Sequence, residues 1–365
     1  MSLKDFEILS KLGSGSYSSV YKVRRRADNH LYALKQVSLG TLAAREKANA
    51  VNEVRILASV SNPCVVAYYE AFLDYSSGSL CIVMEYAAGG DLLERIKQCR
   101  KLDLRLTEQE IWRAFGEIVQ GLCALHEMQI LHRDIKSANV FLTSTGGAKL
   151  GDLNVAKVAQ AGLHNTQTGT PYYASPEVWK DQPYDFKSDI WSLGCVLYEM
   201  AALEPPFTAK DMDSLYRKVV KGVYTPLPDS YSPDLSIMIR NLLQVNPISR
   251  PTSKRLLQLL TRGGHIAPSP HTPTLLLKTI HFPKNLHDLD QAFPSPKYHS
   301  GAARQHLHNM SFDKREVSSR NKSLSQRSES TRPRERRMSQ LKESIGLKLP
   351  AAFRLPPIRH SKDHM

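Results

Sequence analysis

The chain has 365 residues, of which 41% are hydrophobic. This is enough for two domains and for at least one well-buried core. The five cysteines are odd in number and scattered, without a Cys-x-x-Cys pair, which argues against a disulfide framework or a zinc site and indicates a reducing compartment. We read no secretory signal at the N-terminus and no apolar run long enough to span a bilayer.

The net charge of +14 is unevenly placed. Residues 261–365 contain 19 Lys and Arg against 8 Asp and Glu, a net charge of +11, so the preceding 260 residues carry only +3. A basic tail indicates acidic partners such as nucleic acid, tubulin tails or anionic lipid. A solvated, disordered extension kept soluble by its charge explains the same composition equally well, and both interpretations stay open.

The first part of the chain, residues 6–86, is predicted to be a sheet with one helix. The stretches FEILSKLG and SVYKVRRR flank a Gly-containing turn, and LYALKQVSL follows as a third strand. REKANAVNEVRILASV combines apolar residues at helical spacing with strong helix formers, so it predicts a helix. VVAYYEAFL and SLCIVMEY predict two further strands.

A hinge follows at AAGGDL, where Gly89 and Gly90 interrupt the pattern. Residues 91–260 are then mainly helical, as in EQEIWRAFGEIVQGLCALHEM and SDIWSLGCVLYEMAAL. We therefore predict an α+β, bilobal fold with a small β-rich lobe and a larger, mainly helical lobe. A cleft between two lobes is where a ligand site is expected.

The composition shifts to Pro, Ser, His, Lys and Arg after the last helical stretch. We divide the chain into a small lobe at 1–86, a large lobe at 87–262, a following segment at 263–299 and a basic tail at 300–365. The third part keeps some apolar pattern and could dock on a surface, whereas the tail is predicted to be disordered.

The stretch GSGSYSSV indicates a phosphate-binding hairpin. Gly13 and Gly15 would let the backbone approach phosphate oxygens closely, although Ser18 stands where a third glycine is usual. Lys35, one strand later, could meet phosphates as a point charge. Glu53 on the predicted helix could hold this lysine in an ion pair. Each of these residues also has an interpretation without function. The glycines could form an ordinary Gly-Ser turn, Lys35 could be a solvated strand lysine, and Glu53 could be an exposed helical glutamate, which is the more frequent position of such residues.

The stretch LHRDIKSANVFL is more specific, because three chemically useful side chains lie within one short loop. Asp134 can orient a substrate hydroxyl and accept its proton. Asn139 can supply a neutral oxygen to magnesium. Lys136 can neutralise a phosphoryl group in transfer.

Together these motifs resemble those of eukaryotic protein kinases over about residues 6–260. The resemblance implies Mg-ATP as cofactor, Asp134 as catalytic base, and Asn139 and Asp152 as magnesium ligands. It also implies that Lys35 pairs with Glu53, that Glu177 pairs with Arg250, and that Asp189 supports the catalytic loop. The residues implied around the nucleotide are Leu12, Gly13, Gly15, Val20, Ala33, Lys35, Glu53, Met84, Glu85, Ala87, Phe141 and Asp152.

Finer features are similar to the NIMA-related serine/threonine kinases, including YALKQV, ANVFL and TGTPYYASPEVW. The post-kinase stretch TIHFPKNLHDLDQAFPSPKY resembles a segment of some protist and algal members. Membership implies protein Ser/Thr hydroxyls as substrates and a role in the cell cycle, microtubules or cilia. We expect a cytoplasmic protein at the cytoskeleton, basal body or cilium, with no nucleic-acid module.

The chain departs from the kinase pattern where Asp-Phe-Gly is usual, since it has Asp152, Leu153 and Asn154. Leu153 should pack with Leu57, Tyr68 and His132, and Asn tolerates positive φ. We therefore expect these changes to affect loop flexibility while magnesium binding is kept. The alternative is a catalytically weak pseudokinase scaffold with a microtubule-targeting tail.

The activation segment contains two threonines to which the resemblance gives different roles. Thr166 stands where NIMA-related kinases carry an activating phosphosite, and its phosphate could pair with Arg133. Thr170 is expected to contact Asp134 and Lys136 instead. Both are regulatory candidates.

Overall fold

A computed structural model describes residues 2–15, 17–152, 171–267, 277 and 286–298, with the backbone alone at 286–288. The small lobe is an antiparallel five-stranded sheet with one helix, α1 (Ala44–Ser59). The sheet contains β1 (Phe6–Ser14), β2 (Ser18–Arg25), β3 (Leu31–Ser38), β4 (Tyr68–Asp74) and β5 (Ser79–Glu85). The strand order is β1-β2-β3-β5-β4, so β4 lies at one end of the sheet.

In its described residues the larger lobe is mainly helical with one short hairpin, so the predicted bilobal α+β architecture is confirmed. Its hairpin pairs β6 (Val140–Leu142) with β7 (Ala148–Leu150). Its helices are α2 (Leu92–Lys101), α3 (Glu108–Glu127), α4 (Pro176–Trp179), α5 (Phe186–Ala202), α6 (Met212–Lys221), α7 (Pro233–Leu242) and α8 (Ser253–Arg262). A short helix, α9 (Leu286–Ala292), follows.

The helix ends are set by local chemistry. Thr107 begins α3 with a capping box, because its hydroxyl accepts from the Glu110 N–H while the Glu110 carboxylate accepts from the Thr107 N–H. Ser232 caps α7, in which Pro233 occupies the first turn, where its missing N–H costs nothing. Helix α6 ends at Gly222, whose φ of +65° favours glycine.

The two faces of the sheet bury separate cores, because side chains alternate along each strand. Ile82 lies in the core that α1 shares, whereas the adjacent Val83 lies in a second core with Val23, Leu34 and Phe72. The first core continues into the large lobe through buried residues of α3 and α5. Helix α1 is thus held on one face of the sheet by apolar contact.

One predicted strand is shorter than its sequence pattern. The pattern predicts β4 from Val65, but the strand begins at Tyr68. Val65 forms an isolated parallel bridge with Leu150, and the Val66 N–H donates to the Leu150 carbonyl at 2.8 Å. These residues therefore join the small lobe to the β6–β7 hairpin. Within the described ranges, no helix has the length and apolar character needed to cross a membrane.

Candidate active site

Three charged side chains from separate elements meet in the cleft. The Lys35 ammonium, on β3, lies 2.7 Å from Glu53 Oε1 on α1 and 3.1 Å from Asp152 Oδ1, just after β7. Lys35 and Glu53 are 8% and 4% exposed, so both charges depend on their partners for compensation. The pair that the resemblance implies is thus present.

The electrostatics favour a permanently charged lysine. Burial opposes the charge, but the Glu53 and Asp152 carboxylates outweigh it and raise the pKa of Lys35 above its usual value. The Asp152 carboxylate is the more exposed of the two, at 35% against 6% for Glu53. Asp152 is therefore the carboxylate of this cluster with room to meet a further cation.

The catalytic-loop candidates form a second cluster. Asp134 Oδ2 accepts from the Lys136 ammonium at 2.9 Å and from the Asn139 side-chain amide at 3.1 Å. The same amide nitrogen donates to the Asp134 carbonyl at 2.8 Å. Because these contacts use the nitrogen, the amide oxygen of Asn139 is left to accept or to bind a cation. The three residues are brought together as their spacing suggested.

Asp189 holds this loop in place. Its buried carboxylate accepts from the backbone N–H groups of His132 and Arg133, each at 3.0 Å, and also contacts His126 and Tyr184. Burial opposes the charge of Asp189, but the bond to His126 and its other partners keep its pKa below the usual value. Asp189 therefore supports the loop as the resemblance implies.

Two non-glycine residues of the large lobe at this site have a left-handed backbone conformation. Arg133 has φ +66° and Asp152 has φ +52°. A non-glycine residue in this region costs on the order of 1–3 kcal/mol, and the surrounding structure must impose it. At Arg133 the bond from its N–H to Asp189 supplies that constraint. At Asp152 the bond from Lys35 ties the carboxylate to β3.

The Gly-containing hairpin leaves open space beside Gly13. A Cβ added at Gly13 would meet no atom within 4 Å, so packing inside the protein does not require glycine there. Gly15 is different, because its N–H donates to the Ser18 carbonyl at 2.7 Å and a Cβ would lie 3.2 Å from Ser18 Oγ. Ser18 thus closes the turn, while the space over Gly13 remains accessible to a phosphate.

The residues expected around the adenine ring lie on strands of both lobes and in the hinge. Ala33 and Met84 are register partners on β3 and β5, and Val20 is the partner of Lys35. Phe141 lies on β6 of the large lobe. Val20, Ala33, Met84 and Phe141 are half-buried, so part of the surface of each is exposed. The remaining candidates, Leu12, Glu85 and Ala87, lie on β1, at the end of β5 and in the hinge.

The hinge is fastened to the large lobe by backbone bonds. The Gly89 N–H donates to the Leu142 carbonyl and the Leu142 N–H donates to the Gly90 carbonyl, both at 2.8 Å. A Cβ at Gly89 would lie 2.7 Å from the carbonyl oxygens of Leu142 and Thr143, so a close approach requires glycine. Phe141 is therefore fixed relative to the hinge.

These residues fit a magnesium nucleotide. Asp152 and Asn139 offer the oxygen donors that magnesium prefers, on adjacent chain segments joined by a 3.0 Å bond from the Gly151 N–H to the Asn139 carbonyl. Lys35 offers a cation for phosphate oxygens. The apolar residues on both sides of the cleft suit a flat heterocycle, and the space at Gly13 suits phosphates.

A buried ion pair supports the large lobe away from the cleft. The Arg250 guanidinium contacts both Glu177 oxygens, at 2.6 and 2.8 Å, and it is 1% exposed. It also donates to the carbonyls of Lys187, Val245 and Gln244. The pair that the resemblance implies is present, and it joins the start of α4 to the turn before α8.

Sequence reasoning missed a second carboxylate beneath the catalytic loop. Glu199, on α5, accepts from the Ser137 hydroxyl and from the Tyr173 hydroxyl, the latter at 2.6 Å. Glu199 is 2% exposed, so its position depends on these donors. The available signal was an acid within the otherwise apolar stretch CVLYEMAAL. Its partners are 62 and 26 residues away in sequence, which no local pattern reveals.

Some predictions concern residues outside the described ranges, namely Leu153, Asn154, Thr166, Thr170 and the tail at 300–365. Leu57, Tyr68 and His132, which should pack with Leu153, are each no more than 3% exposed. The three are therefore buried, and the packing of Leu153 against them stays a prediction.

Comparison with known proteins finds similarity to protein kinases. The family model "Protein kinase domain" matches residues 6–260. The probable serine/threonine-protein kinase nek2 of Dictyostelium discoideum is 40% identical over 259 residues, which cover 70% of this chain and 62% of that protein. The serine/threonine-protein kinase Nek4 of Mus musculus is 41% identical over 258 residues, covering 70% and 32% respectively.

The human serine/threonine-protein kinase Nek2 is 37% identical over 262 residues, covering 70% of this chain and 59% of that protein. The alignments thus span between about a third and about three fifths of these three relatives.

Proposed function

Because the chain belongs to the protein kinase family and resembles its NIMA-related members, we propose that it transfers the γ-phosphoryl group of Mg-ATP to Ser or Thr hydroxyls of proteins. The observation that carries this proposal is the meeting of Lys35, Glu53 and Asp152 from three separate elements. A lysine is almost never buried unless it is paired, and buried charge clusters of this kind concentrate at functional sites.

The bound Mg-ATP would supply the phosphoryl group and the cation that offsets its charge. Asp134 accepts the proton of the substrate hydroxyl, and Lys136 places positive charge beside it. Asn139 and Asp152 would hold the metal, and Lys35, fixed by Glu53, would orient the phosphates. Positioning and electrostatics are the main contributions such a site makes to rate.

Lys136 and the similarity to proteins named serine/threonine-protein kinases support Ser/Thr over Tyr as the acceptor. Regulation by phosphorylation of Thr166 is part of the proposal. A phosphate there would add a strong acceptor for arginine and order the segment. A Thr166→Ala protein with full activity would contradict this point.

The basic tail supports a targeting role beside catalysis. We propose that residues 300–365 carry the protein to microtubules or a basal-body structure through the acidic surface of tubulin. The attraction depends on salt, because screening at about 0.15 M reduces interactions beyond about 8 Å. Co-sedimentation of the full chain with microtubules should therefore be strong at low salt and weak at high salt. Equal sedimentation at both would count against it.

The test of activity is phosphate transfer from Mg-ATP to a generic protein substrate. Wild type is compared with Asp134→Asn and with Asp229→Asn, a matched change at an exposed aspartate. We expect Asp134→Asn to lose about 10²- to 10⁴-fold in turnover, the usual contribution of a general base. Asp229→Asn should match wild type. Inactive wild type, even after phosphorylation of Thr166 by an upstream kinase, would favour the scaffold interpretation instead.

A further inference from the structure

A part of the chain beyond the matched domain is docked on the small lobe. We call Leu277 together with residues 286–298 the docked segment; it includes α9. Leu289 is fully buried in the core to which α1 and β4 also contribute, and Phe293 packs against that core. Burial of an apolar side chain of this size favours the docked position over a released one. The docked segment is therefore anchored, not loosely apposed.

The docked segment contacts the last turn of α1. The Leu277 N–H donates to the Ser59 hydroxyl at 2.9 Å, and the Lys297 ammonium donates to the Ala58 carbonyl. The final carbonyls of a helix have no partner within the helix and carry partial negative charge. An ammonium group at this end both satisfies a carbonyl and complements the helix dipole. The docked segment thus caps α1.

The same segment is also bonded to β4. The Lys297 N–H donates to the Tyr69 carbonyl at 2.7 Å, and Asp290 Oδ1 accepts from the Leu73 N–H at 3.1 Å. Asp290 Oδ2 accepts from the Tyr75 hydroxyl at 3.3 Å. One short segment therefore ties the end of α1 to the strand on which that helix packs.

Tyr298 extends the contact to the second core of the sheet. Its ring stacks on Tyr69 with centroids 5.7 Å apart and meets Tyr32 edge-on at 5.5 Å. The Arg25 guanidinium lies 3.6 Å from the centre of the Tyr298 ring, a cation–π contact. Because Lys297 lies beside α1 and Tyr298 beside this second core, the docked segment reaches both faces of the sheet.

We propose that the docked segment is a positioning element for α1, which keeps Glu53 within reach of Lys35. Glu53 precedes Ala58 by five residues, or about 7–8 Å along the helix axis. Rotation or sliding of α1 would break the 2.7 Å Glu53–Lys35 contact, whereas the cap on its last turn opposes such movement. A chain segment outside the matched domain thereby sets how often the Lys35–Glu53 pair is formed.

The consequence for activity rests on the proposed function, but the positioning role can be measured without it. The first measurement is amide hydrogen exchange on the full chain carrying Lys297→Met and Asp290→Ala. We expect exchange in residues 50–59 of α1 to rise about 3- to 10-fold, with α5 unchanged as an internal reference. When Lys297→Arg takes the place of Lys297→Met, protection of α1 from exchange should be restored, because arginine keeps the cation. Lys221→Met, at an exposed lysine, is the control.

The second measurement separates positioning from general destabilisation by a double-mutant cycle with Glu53→Gln. The readouts are kcat/KM for Mg-ATP and the affinity for a non-hydrolysable ATP analogue. With Glu53 present, the double substitution should lower both about 3- to 10-fold; with Glu53→Gln, it should change them less than about 2-fold.

The proposal is overturned if hydrogen exchange in α1 is unchanged. It is also overturned if the Lys297→Met and Asp290→Ala pair lowers kcat/KM and analogue affinity by the same factor with Glu53→Gln as with Glu53. If exchange and analogue affinity respond as expected while wild type transfers no phosphate, the positioning role stands and the proposed function fails.

Discussion

Removal of the Arg250 side chain should be the most damaging single change away from the cleft. Arg250→Met keeps the aliphatic length but leaves the Glu177 carboxylate, which is 5% exposed, without its cation. Removing one partner of a buried pair costs about 3–5 kcal/mol, because the other charge stays buried and uncompensated. Three carbonyl groups that accept from Arg250 also lose a donor.

The assay is thermal unfolding of the full chain. At about 2–4 °C per kcal/mol for a domain of this size, we expect Tm to fall by about 6–20 °C. Arg255→Met, at an exposed position of α8, is the matched control and should leave Tm within about 2 °C. Arg250→Met combined with Glu177→Gln should be more stable than Arg250→Met alone, because no buried carboxylate remains unpaired.

The pH dependence gives an independent check. Burial opposes ionisation of Glu177, but Arg250 outweighs it and holds the pKa of this carboxyl below its usual value. Its contribution to stability is therefore present above the unfolded value of about 4.3 and is lost as pH falls through the folded pKa. Without Arg250, burial alone raises the pKa of Glu177. The difference in free energy of unfolding between Arg250→Met and wild type should therefore become smaller as the pH falls. The reasoning would be refuted if Arg250→Met lowered the free energy of unfolding by less than about 1 kcal/mol, or if its difference from wild type grew in acid.

Three further outcomes follow from the described contacts. Gly121→Ala should destabilise the protein by about 1–3 kcal/mol in denaturant titrations, because the new Cβ would lie 2.6 Å from the Cys64 carbonyl oxygen. Gly40→Ala is the control and should be near neutral, because its Cβ would meet no atom within 4 Å. All five cysteines are buried, and burial raises the pKa of Cys64 to about 11. An aromatic disulfide reagent at pH 8 should therefore react slowly with these thiols until the protein unfolds, and rapid reaction with the native protein would contradict this. Glu53→Gln should lower kcat/KM about 10- to 100-fold by loosening Lys35, and an unchanged value would show that the pair does not limit turnover.

The sequence was most informative where chemistry is local. The loop that holds Asp134, Lys136 and Asn139 is short, so their proximity follows from spacing alone. Helix α1 was predicted within one residue of its observed ends, because its apolar residues keep helical spacing throughout. The Lys35–Glu53 pair could be proposed only through the family resemblance, since 18 residues and a helix separate its members.

Long-range pairing explains what the sequence did not predict. Val65 is β-branched and apolar, so a local pattern extends β4 over it, but its bridge is to Leu150, 85 positions later in the chain. In the sequence, Glu199 is one acidic residue in an otherwise apolar stretch, and nothing near it shows that it joins Ser137 to Tyr173. Such partners are chosen by the tertiary fold, which no window of neighbouring residues contains.

The position of β4 at the end of the sheet has a practical consequence for solubility. A terminal strand presents backbone groups that can recruit another chain, and proteins block this with charge, proline or a covering segment. Here Asp290 and Lys297 occupy the Leu73 N–H and the Tyr69 carbonyl, and Pro296 beside them has no N–H to offer a new strand. We expect a chain cut at residue 260, where the family match ends, to self-associate through β4. The unit that stays dispersed should extend at least to Tyr298.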